Sequence, residues 1–183
     1  MLFRSNDTAT TEIYTSVNTL SLTRRSSDLP AANADVPSYH TYKITTTAAL
    51  ALDVSGGATG NGAPVIQWPQ NGGANQQWRV LPASSDPYQL IQNVNSGKCL
   101  TLPYQGAAGT GLEQYTCDPS ARNQQWAIDS ERVNGWGGNL LYNGLQNGNA
   151  VDVPGATVAW GTQLIAWPFH HGVNQTFYFT RIF

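Results

Sequence analysis

Charged side chains are scarce in this 183-residue chain. Nine Lys and Arg residues and eleven Asp and Glu residues make 11% of the chain charged, well below the share of about 25% in an average soluble domain. The net charge is -2 and no basic stripe is present, which excludes nucleic acid as a partner bound through its phosphates. Asn and Gln together number 28, so neutral amides carry most of the polarity. Such a surface suits neutral ligands rich in hydroxyl groups.

Long apolar runs are also missing. No window approaches the roughly 18 consecutive apolar residues that a membrane-spanning helix needs, so we expect no membrane insertion. The length corresponds to one domain on a scale of about 150 residues per domain. Cysteine is limited to Cys99 and Cys117, and the count alone leaves open two free buried thiols or one disulfide.

The first part of the chain lacks glycine and tryptophan: no glycine precedes Gly56 and no tryptophan precedes Trp68. Residues 1–37 are rich in Ser and Thr and show no strand or helix period, so they are predicted to be a disordered leader. Residues 6–15 and 19–29 resemble two parts of the translation of a DNA-sequencing adapter. We therefore interpret residues 1–29 as an artefact, with an ordinary disordered tail as the alternative. The natural N-terminus would then be missing, and the lack of a signal-peptide pattern carries little weight.

The rest of the chain contains three copies of one unit. The segments NGGANQQW, SARNQQW and HGVNQTF, spaced by 48 and 51 residues, end at a closing aromatic residue: Trp78, Trp126 and Phe177. The strand-like runs LALDV, KCLTL and NAVDV each place one residue 25 positions before that aromatic: Asp53, Thr101 and Asp152. Between them lie Gly-rich turns and a second strand-like run, PVIQW, GLEQY or TQLIAW. Each copy is therefore predicted to contain three strands.

These repeats predict an all-β fold. One unit of about 50 residues has too little apolar area to fold alone, so three units must share one core. A closed barrel with pseudo-threefold symmetry, its core filled by the closing aromatics, satisfies this requirement and removes most exposed sheet edges.

The three Gln-x-aromatic units, each preceded by Asn, resemble the QxW repeats of ricin B-type lectins and related carbohydrate-binding modules. The resemblance covers residues 38–183 and implies a β-trefoil domain over that range. It also implies a structural role for one Gln and one aromatic ring in each repeat, the amide bonding backbone groups and the ring filling the core: Gln76, Trp78, Gln124, Trp126, Gln175 and Phe177.

A sugar site in this family combines an Asp near the start of the repeat, an aromatic residue about 15 positions later and the Asn before the Gln. The carboxylate accepts hydrogen bonds from vicinal hydroxyls, the ring stacks on the C–H face of a sugar, and the Asn both donates and accepts. The resemblance implies two complete sites: Asp53, Trp68 and Asn75 in the first repeat, and Asp152, Trp167 and Asn174 in the third. The alternative roles are turn capping for the Asp residues and core packing for the Trp residues.

The middle repeat departs from this pattern. It has Thr101, Tyr115 and Asn123, and because the carboxylate is missing we expect no working site there. The outer repeats also depart, since Ile66 and Ile165 stand where some relatives have a ligand-contacting Gln.

The resemblance further implies that Cys99 and Cys117 form the disulfide found within one repeat of many relatives. Neither Cys has a counterpart in the first or third repeat. A disulfide favours an oxidising compartment and hence a secreted or extracellular protein. The alternative is a cytosolic lectin with two reduced thiols.

The expected function is a lectin that binds glycans or glycoconjugates and is not an enzyme. By resemblance the ligand is a galactose-type or N-acetylgalactosamine-type sugar. Asp53 and Asp152 belong to different repeats, which separates them too far for catalysis by paired carboxylates.

Other roles rank lower. His170 and His171 have no further His or Cys nearby in sequence to complete a metal site, so we expect neither metal nor cofactor; the alternative role of these residues is to line the third-repeat sugar site. A carbohydrate-binding module detached from a glycoside hydrolase and a protein-binding trefoil such as a protease inhibitor are the alternative functions. The oligomeric state is left open, with a homodimer among the alternatives.

Overall fold

A computed structural model describes residues 36–130 and 138–182. Most of the expected leader, residues 1–35, lies outside the described residues. Val36, which we placed in the leader, is 1% exposed and packs in the hydrophobic core, and the Pro37 carbonyl accepts a hydrogen bond from the Tyr42 hydroxyl. The packed part of the chain therefore includes at least Val36, two residues before the expected boundary.

The described residues form an all-β structure, which confirms the predicted fold class. Its twelve strands, in chain order, are β1 Thr41–Thr46, β2 Ala51–Val54, β3 Ala63–Trp68, β4 Gln77–Pro82, β5 Gln89–Asn93, β6 Cys99–Thr101, β7 Glu113–Tyr115, β8 Trp126–Asp129, β9 Leu140–Asn143, β10 Asn149–Asp152, β11 Ile165–Pro168 and β12 Phe177–Arg181. Each repeat thus has four strands and not the predicted three. The additional strands β1, β5 and β9 were missed because they carry none of the repeat markers.

Six of the strands close into a barrel. Strand β1 pairs with β4, β4 with β5, β5 with β8 and β8 with β9, all antiparallel. The bridge between Phe177 and Asn139, the residue before β9, joins β9 to β12, and β12 pairs with β1 over five residues. Because the ring of pairings returns to β1, these six strands leave no open sheet edge in the barrel.

The other six strands form three hairpins, one per repeat: β2 with β3, β6 with β7, and β10 with β11. The hairpins contact one another, since β3 pairs with β7 and bridges join Ile66 to Gln163 and Gly111 to Ile165. They therefore cover one end of the barrel as a group, with the tip of each hairpin beside the strands of another repeat.

The closing aromatics meet in the core. Trp78, Trp126 and Phe177 are fully buried and belong to one hydrophobic cluster. The indole N–H groups of Trp78 and Trp126 donate to the Leu52 and Leu100 carbonyls, both at 3.0 Å. The Phe177 side chain has no N–H group, so the third repeat keeps the buried ring but not this hydrogen bond.

Cys99 and Cys117 form a disulfide, which confirms the predicted pairing. Cys99 lies at the start of β6, and Cys117 lies two residues after Tyr115, the end of the β7 strand that pairs with β6. The bond therefore fastens the middle hairpin at its open end, a position where the first and third repeats carry other residues.

Candidate functional site

The Gln of each repeat holds the chain just before the closing strand. The Gln76 Oε1 atom accepts from the Asn71 backbone N–H at 2.9 Å, and its amide donates to the Pro69 carbonyl at 2.9 Å. Gln124 and Gln175 make the equivalent pairs of bonds. All three side chains are buried, so their full hydrogen bonding fixes the turn that carries the neighbouring Asn.

In the first repeat that turn brings Asn75 to Asp53. The Asn75 Nδ2 atom lies 2.9 Å from the Asp53 Oδ2 atom, and the Gln76 Nε2 atom lies 2.8 Å from the same oxygen. Asp53 is 3% exposed. Both amides thus donate to one carboxylate oxygen, Oδ2, and fix the orientation of the carboxylate.

The third repeat builds the same arrangement and adds a histidine. The Asn174 Nδ2 atom lies 2.9 Å from the Asp152 Oδ2 atom, and the His170 Nε2 atom lies 3.3 Å from that oxygen. Asp152 is 2% exposed and forms part of the wall of a hollow of about 450 Å³. The hollow is lined by Asp152, Pro154, Gly155, Ala156, Ile165, Trp167, His170 and Asn174.

The two site tryptophans lie at the surface and not in the core. Trp68 is 39% exposed and Trp167 is 43% exposed, so each offers part of a ring face to solvent. Strand register fixes their position, because Asp53 pairs with Ile66, two residues before Trp68, and Asp152 pairs with Ile165, two residues before Trp167. Residues two apart on a strand point to the same face of the sheet. Each Trp side chain therefore lies on the same face of its hairpin as the Asp of that repeat.

Burial changes the acidity of both carboxyls. Desolvation raises the pKa of Asp53, and the hydrogen bonds from Gln76 and Asn75 lower it by less. Desolvation likewise raises the pKa of Asp152 against the smaller effects of His170, Asn174 and Gln175. The ionised form of each Asp is therefore held in a site whose amides compensate only part of the cost of desolvation.

The middle repeat lacks this cluster. The Thr101 hydroxyl donates to the Cys99 carbonyl at 2.8 Å, and the Asn123 amide donates to the Leu102 carbonyl at 3.2 Å. Tyr115 is exposed as its counterparts are, but the residue opposite Thr101 in the strand register is Glu113, whose pKa burial raises. The Glu113 carboxyl thus lies on β7, the second strand of its hairpin, whereas Asp53 and Asp152 lie on the first strand of theirs.

Sequence reasoning missed two parts of the sites. Gln76 donates to Asp53 as well as to the backbone, and the structural role expected for it did not include this bond. The wall formed by Pro154, Gly155 and Ala156 was also missed, although this turn begins two residues after Asp152 in the sequence.

Within the described part of the chain, no group of three or more His, Cys, Asp or Glu side chains could hold a metal ion. No helix among residues 36–130 and 138–182 has the length and apolar character required to cross a membrane.

A six-stranded barrel covered by three hairpins around a pseudo-threefold axis defines a β-trefoil. A protein-family model described as "Ricin-type beta-trefoil lectin domain-like" matches residues 34–115 and 74–167. The chain therefore belongs to the ricin-type β-trefoil lectin-like family. A comparison with curated protein sequences finds no match.

Solved structures share the fold. The designed three-fold symmetric protein ThreeFoil is 30% identical, with a TM-score of 0.70 over 78% of this chain and 99% of that chain. The ricin B-like lectin of Macrolepiota procera, solved in complex with lactose, is 26% identical, with a TM-score of 0.68 over 80% of this chain and 99% of that chain. The exo-beta-1,3-galactanase 1,3Gal43A of Clostridium thermocellum is 27% identical, with a TM-score of 0.71 over 80% of this chain and 31% of that chain.

Proposed function

We propose that the chain is a non-enzymatic lectin that binds neutral sugars of the galactose or N-acetylgalactosamine type at two sites. One site is formed by Asp53, Trp68 and Asn75, and the other by Asp152, Trp167 and Asn174. The observation that carries the proposal is a buried carboxylate held by an Asn amide in each outer repeat, with an exposed indole ring on the paired strand.

The chemistry of the sites matches a sugar. The amides occupy Oδ2 of Asp53 and so orient the carboxylate, whose Oδ1 can accept charge-assisted hydrogen bonds from hydroxyl groups. The exposed ring of Trp68 stacks on the apolar C–H face of a pyranose. Because hydroxyl directions differ between sugar stereoisomers, a fixed acceptor beside a fixed ring selects among them.

The galactose-type preference rests on a relative. The Macrolepiota procera lectin is described in complex with lactose, a disaccharide that ends in galactose. A non-enzymatic role is supported by the third-repeat hollow, whose lining includes one carboxylate, Asp152, whereas hydrolysis of a glycosidic bond uses two.

Two sites would act together on a branched or repeated glycan. A site with a millimolar dissociation constant contributes only about 4 kcal/mol of binding free energy. When two such sites engage one multivalent glycan, the second contact is intramolecular and the overall affinity rises by orders of magnitude. A glycoconjugate surface is therefore the proposed partner.

A glycan array tests the ligand class. We expect the protein to bind glycans that end in galactose or N-acetylgalactosamine, and free lactose to compete with that binding. Glycans that end in glucose or mannose serve as matched controls, because they differ from the expected ligands mainly in hydroxyl stereochemistry. Binding restricted to these controls would contradict the assigned sugar class, and the absence of any glycan binding would contradict the lectin function.

We expect acidification to weaken binding before it weakens the fold. The pKa of Asp53 is raised by burial, so this carboxyl becomes protonated, and loses its charge-assisted acceptance, at a higher pH than an ordinary Asp with a pKa of about 3.9. The same shift has the opposite sign for stability. Asp53 contributes stability that is full below its unfolded-state pKa and is lost as the pH rises through its folded-state pKa.

Calorimetric titration with lactose between about pH 3 and pH 7, together with thermal unfolding, measures both effects. The Asp152→Ala variant is the suitable background, because it removes the third-repeat site, which includes His170, and leaves the first site to be measured alone. Affinity that stays constant down to the ordinary pKa range of Asp would contradict the role of the Asp53 carboxylate.

A second candidate function is a carbohydrate-binding module of a larger enzyme. The galactanase comparison favours it, since this chain matches 31% of that enzyme. A hydrolase domain encoded in the same open reading frame would support this alternative, and the sugar sites would then anchor the enzyme to its polysaccharide.

We further propose that the protein is secreted or extracellular. The disulfide between Cys99 and Cys117 supports this location, because disulfides persist in oxidising compartments.

A further inference from the structure

The first-repeat site borders a loop of the third repeat. This loop, residues 157–162, is part of the connection between β10 and β11 and carries Trp160. The ring centroids of Trp160 and Trp68 lie 6.3 Å apart, and the ring planes are inclined by 60°. Trp160 is 67% exposed, so its contact with Trp68 uses only a minor part of its surface. The two indoles form an angled apolar surface that continues outward from the proposed sugar site.

A buried amide holds this loop in place. Gln67, the residue before Trp68, is fully buried, and its Nε2 atom donates to the carbonyls of Thr157 and Ala159, both at 2.9 Å. The Gly161 N–H donates to the Gln67 carbonyl at 2.9 Å. Because Gln67 bonds the loop and belongs to the strand that carries Trp68, the backbone positions of Trp68 and Trp160 are fixed relative to each other.

The corresponding loops of the first and second repeats carry no aromatic ring at the position of Trp160. Gly161, Gly62 and Gly109 all have positive φ values in the corresponding loops, and the residue before each is Trp160, Asn61 and Ala108. The Asn61 side chain accepts hydrogen bonds from the backbone N–H and the hydroxyl of Thr116, beside Tyr115. Gly109 lies beside Trp167, so the short side chain of Ala108 leaves the third-repeat site with one indole.

We propose that Trp160 is a specificity-determining residue, which stacks on the second sugar unit of a glycan whose terminal sugar lies on Trp68. This inference rests on the lectin function proposed above. A glycosidic bond would continue the glycan from the edge of a sugar stacked on Trp68, and the Trp160 ring, inclined by 60° to that of Trp68, would contact the next unit. The first-repeat site therefore prefers a disaccharide over its terminal monosaccharide, and the third-repeat site shows a smaller preference or none.

The test compares lactose with galactose by calorimetric titration of the Asp152→Ala variant, in which the first site acts alone. We expect lactose to bind more tightly than galactose. Adding Trp160→Ala should lower the lactose affinity by about threefold to tenfold, the range for loss of one aromatic stacking contact, and leave galactose unchanged. Trp160→Phe keeps a flat ring and should retain most of the lactose affinity.

Val158→Ala is the matched control, because Val158 is equally exposed on the same loop and should change neither affinity. If Trp160→Ala lowers both affinities equally, Trp160 only orients Trp68 and the inference is wrong. It is also wrong if Trp160→Ala changes neither affinity. If the Asp152→Ala variant binds neither sugar, the proposed function itself fails and the inference fails with it.

Discussion

The double variant Asp53→Ala with Asp152→Ala is expected to lose glycan binding, while each single variant keeps one site. Each carboxylate would supply the charged acceptor of its proposed site and is oriented by Asn75 or Asn174 at 2.9 Å. Hydrogen bonds to a charged group contribute about 1.5–3 kcal/mol, so removal of the acceptor lowers the affinity of a site more than tenfold. Calorimetric titration with lactose should give two sites in the parent, one in each single variant and none in the double variant.

Thr101→Val is the matched control for these substitutions. Thr101 occupies the equivalent position in the middle repeat, and its hydroxyl is bonded to the Cys99 carbonyl, so its loss should leave the stoichiometry at two. The Asp→Ala changes also leave the Asn and Gln amides without an acceptor, which can destabilise the fold. The Asp→Asn variants, together with thermal unfolding, separate loss of the site from loss of the fold. A folded double variant that binds as well as the parent would show that the site assignment is wrong.

Removal of the disulfide is expected to lower the free energy of unfolding by about 3 kcal/mol. Cys99 and Cys117 are 18 residues apart, and the chain-entropy model gives about this value for a loop of that length. The substitutions Cys99→Ala and Cys117→Gln introduce the residues of the first repeat, Ala51 and Gln70, which occupy these positions without a bridge. Chemical denaturation of parent and variant measures the difference.

Sugar binding provides the control for the disulfide variant. The bond lies in the middle repeat, whereas both proposed sites lie in the outer repeats, so lactose affinity and stoichiometry should be unchanged at temperatures where the variant is folded. A variant as stable as the parent would show that the bridge adds little to the fold. A folded variant that loses one site would place the middle hairpin in sugar binding.

The architecture could be predicted from the sequence because each repeat carries the same markers at the same spacing. The closing aromatics at Trp78, Trp126 and Phe177 must be buried together, and their fixed distance from Asp53, Thr101 and Asp152 puts one hairpin in every repeat. Strands β1, β5 and β9 could not be assigned in the same way. They carry none of the repeat markers, and their pairing with other repeats depends on closure of the barrel.

The sites were less predictable because they are assembled across the chain. The pairing of Asn75 with Asp53 follows from family resemblance, since both belong to one repeat. The contact between Trp68 and Trp160 joins residues of the first and third repeats, and neither local pattern nor spacing points to it. The sequence predicts His170 only as a residue lining the third-repeat site, and its place beside Asp152 depends on the turn that Gln175 fixes.

Pairing between the first and last strands also determines how this domain can be joined to others. Tyr42 near the start of β1 lies opposite Arg181 at the end of β12, so incoming and outgoing chain meet at one place on the molecule. A neighbouring domain could be fused upstream or downstream and would stand at the same side in either case. The position of such a neighbour relative to the two proposed sugar sites would then be similar for either order of the domains.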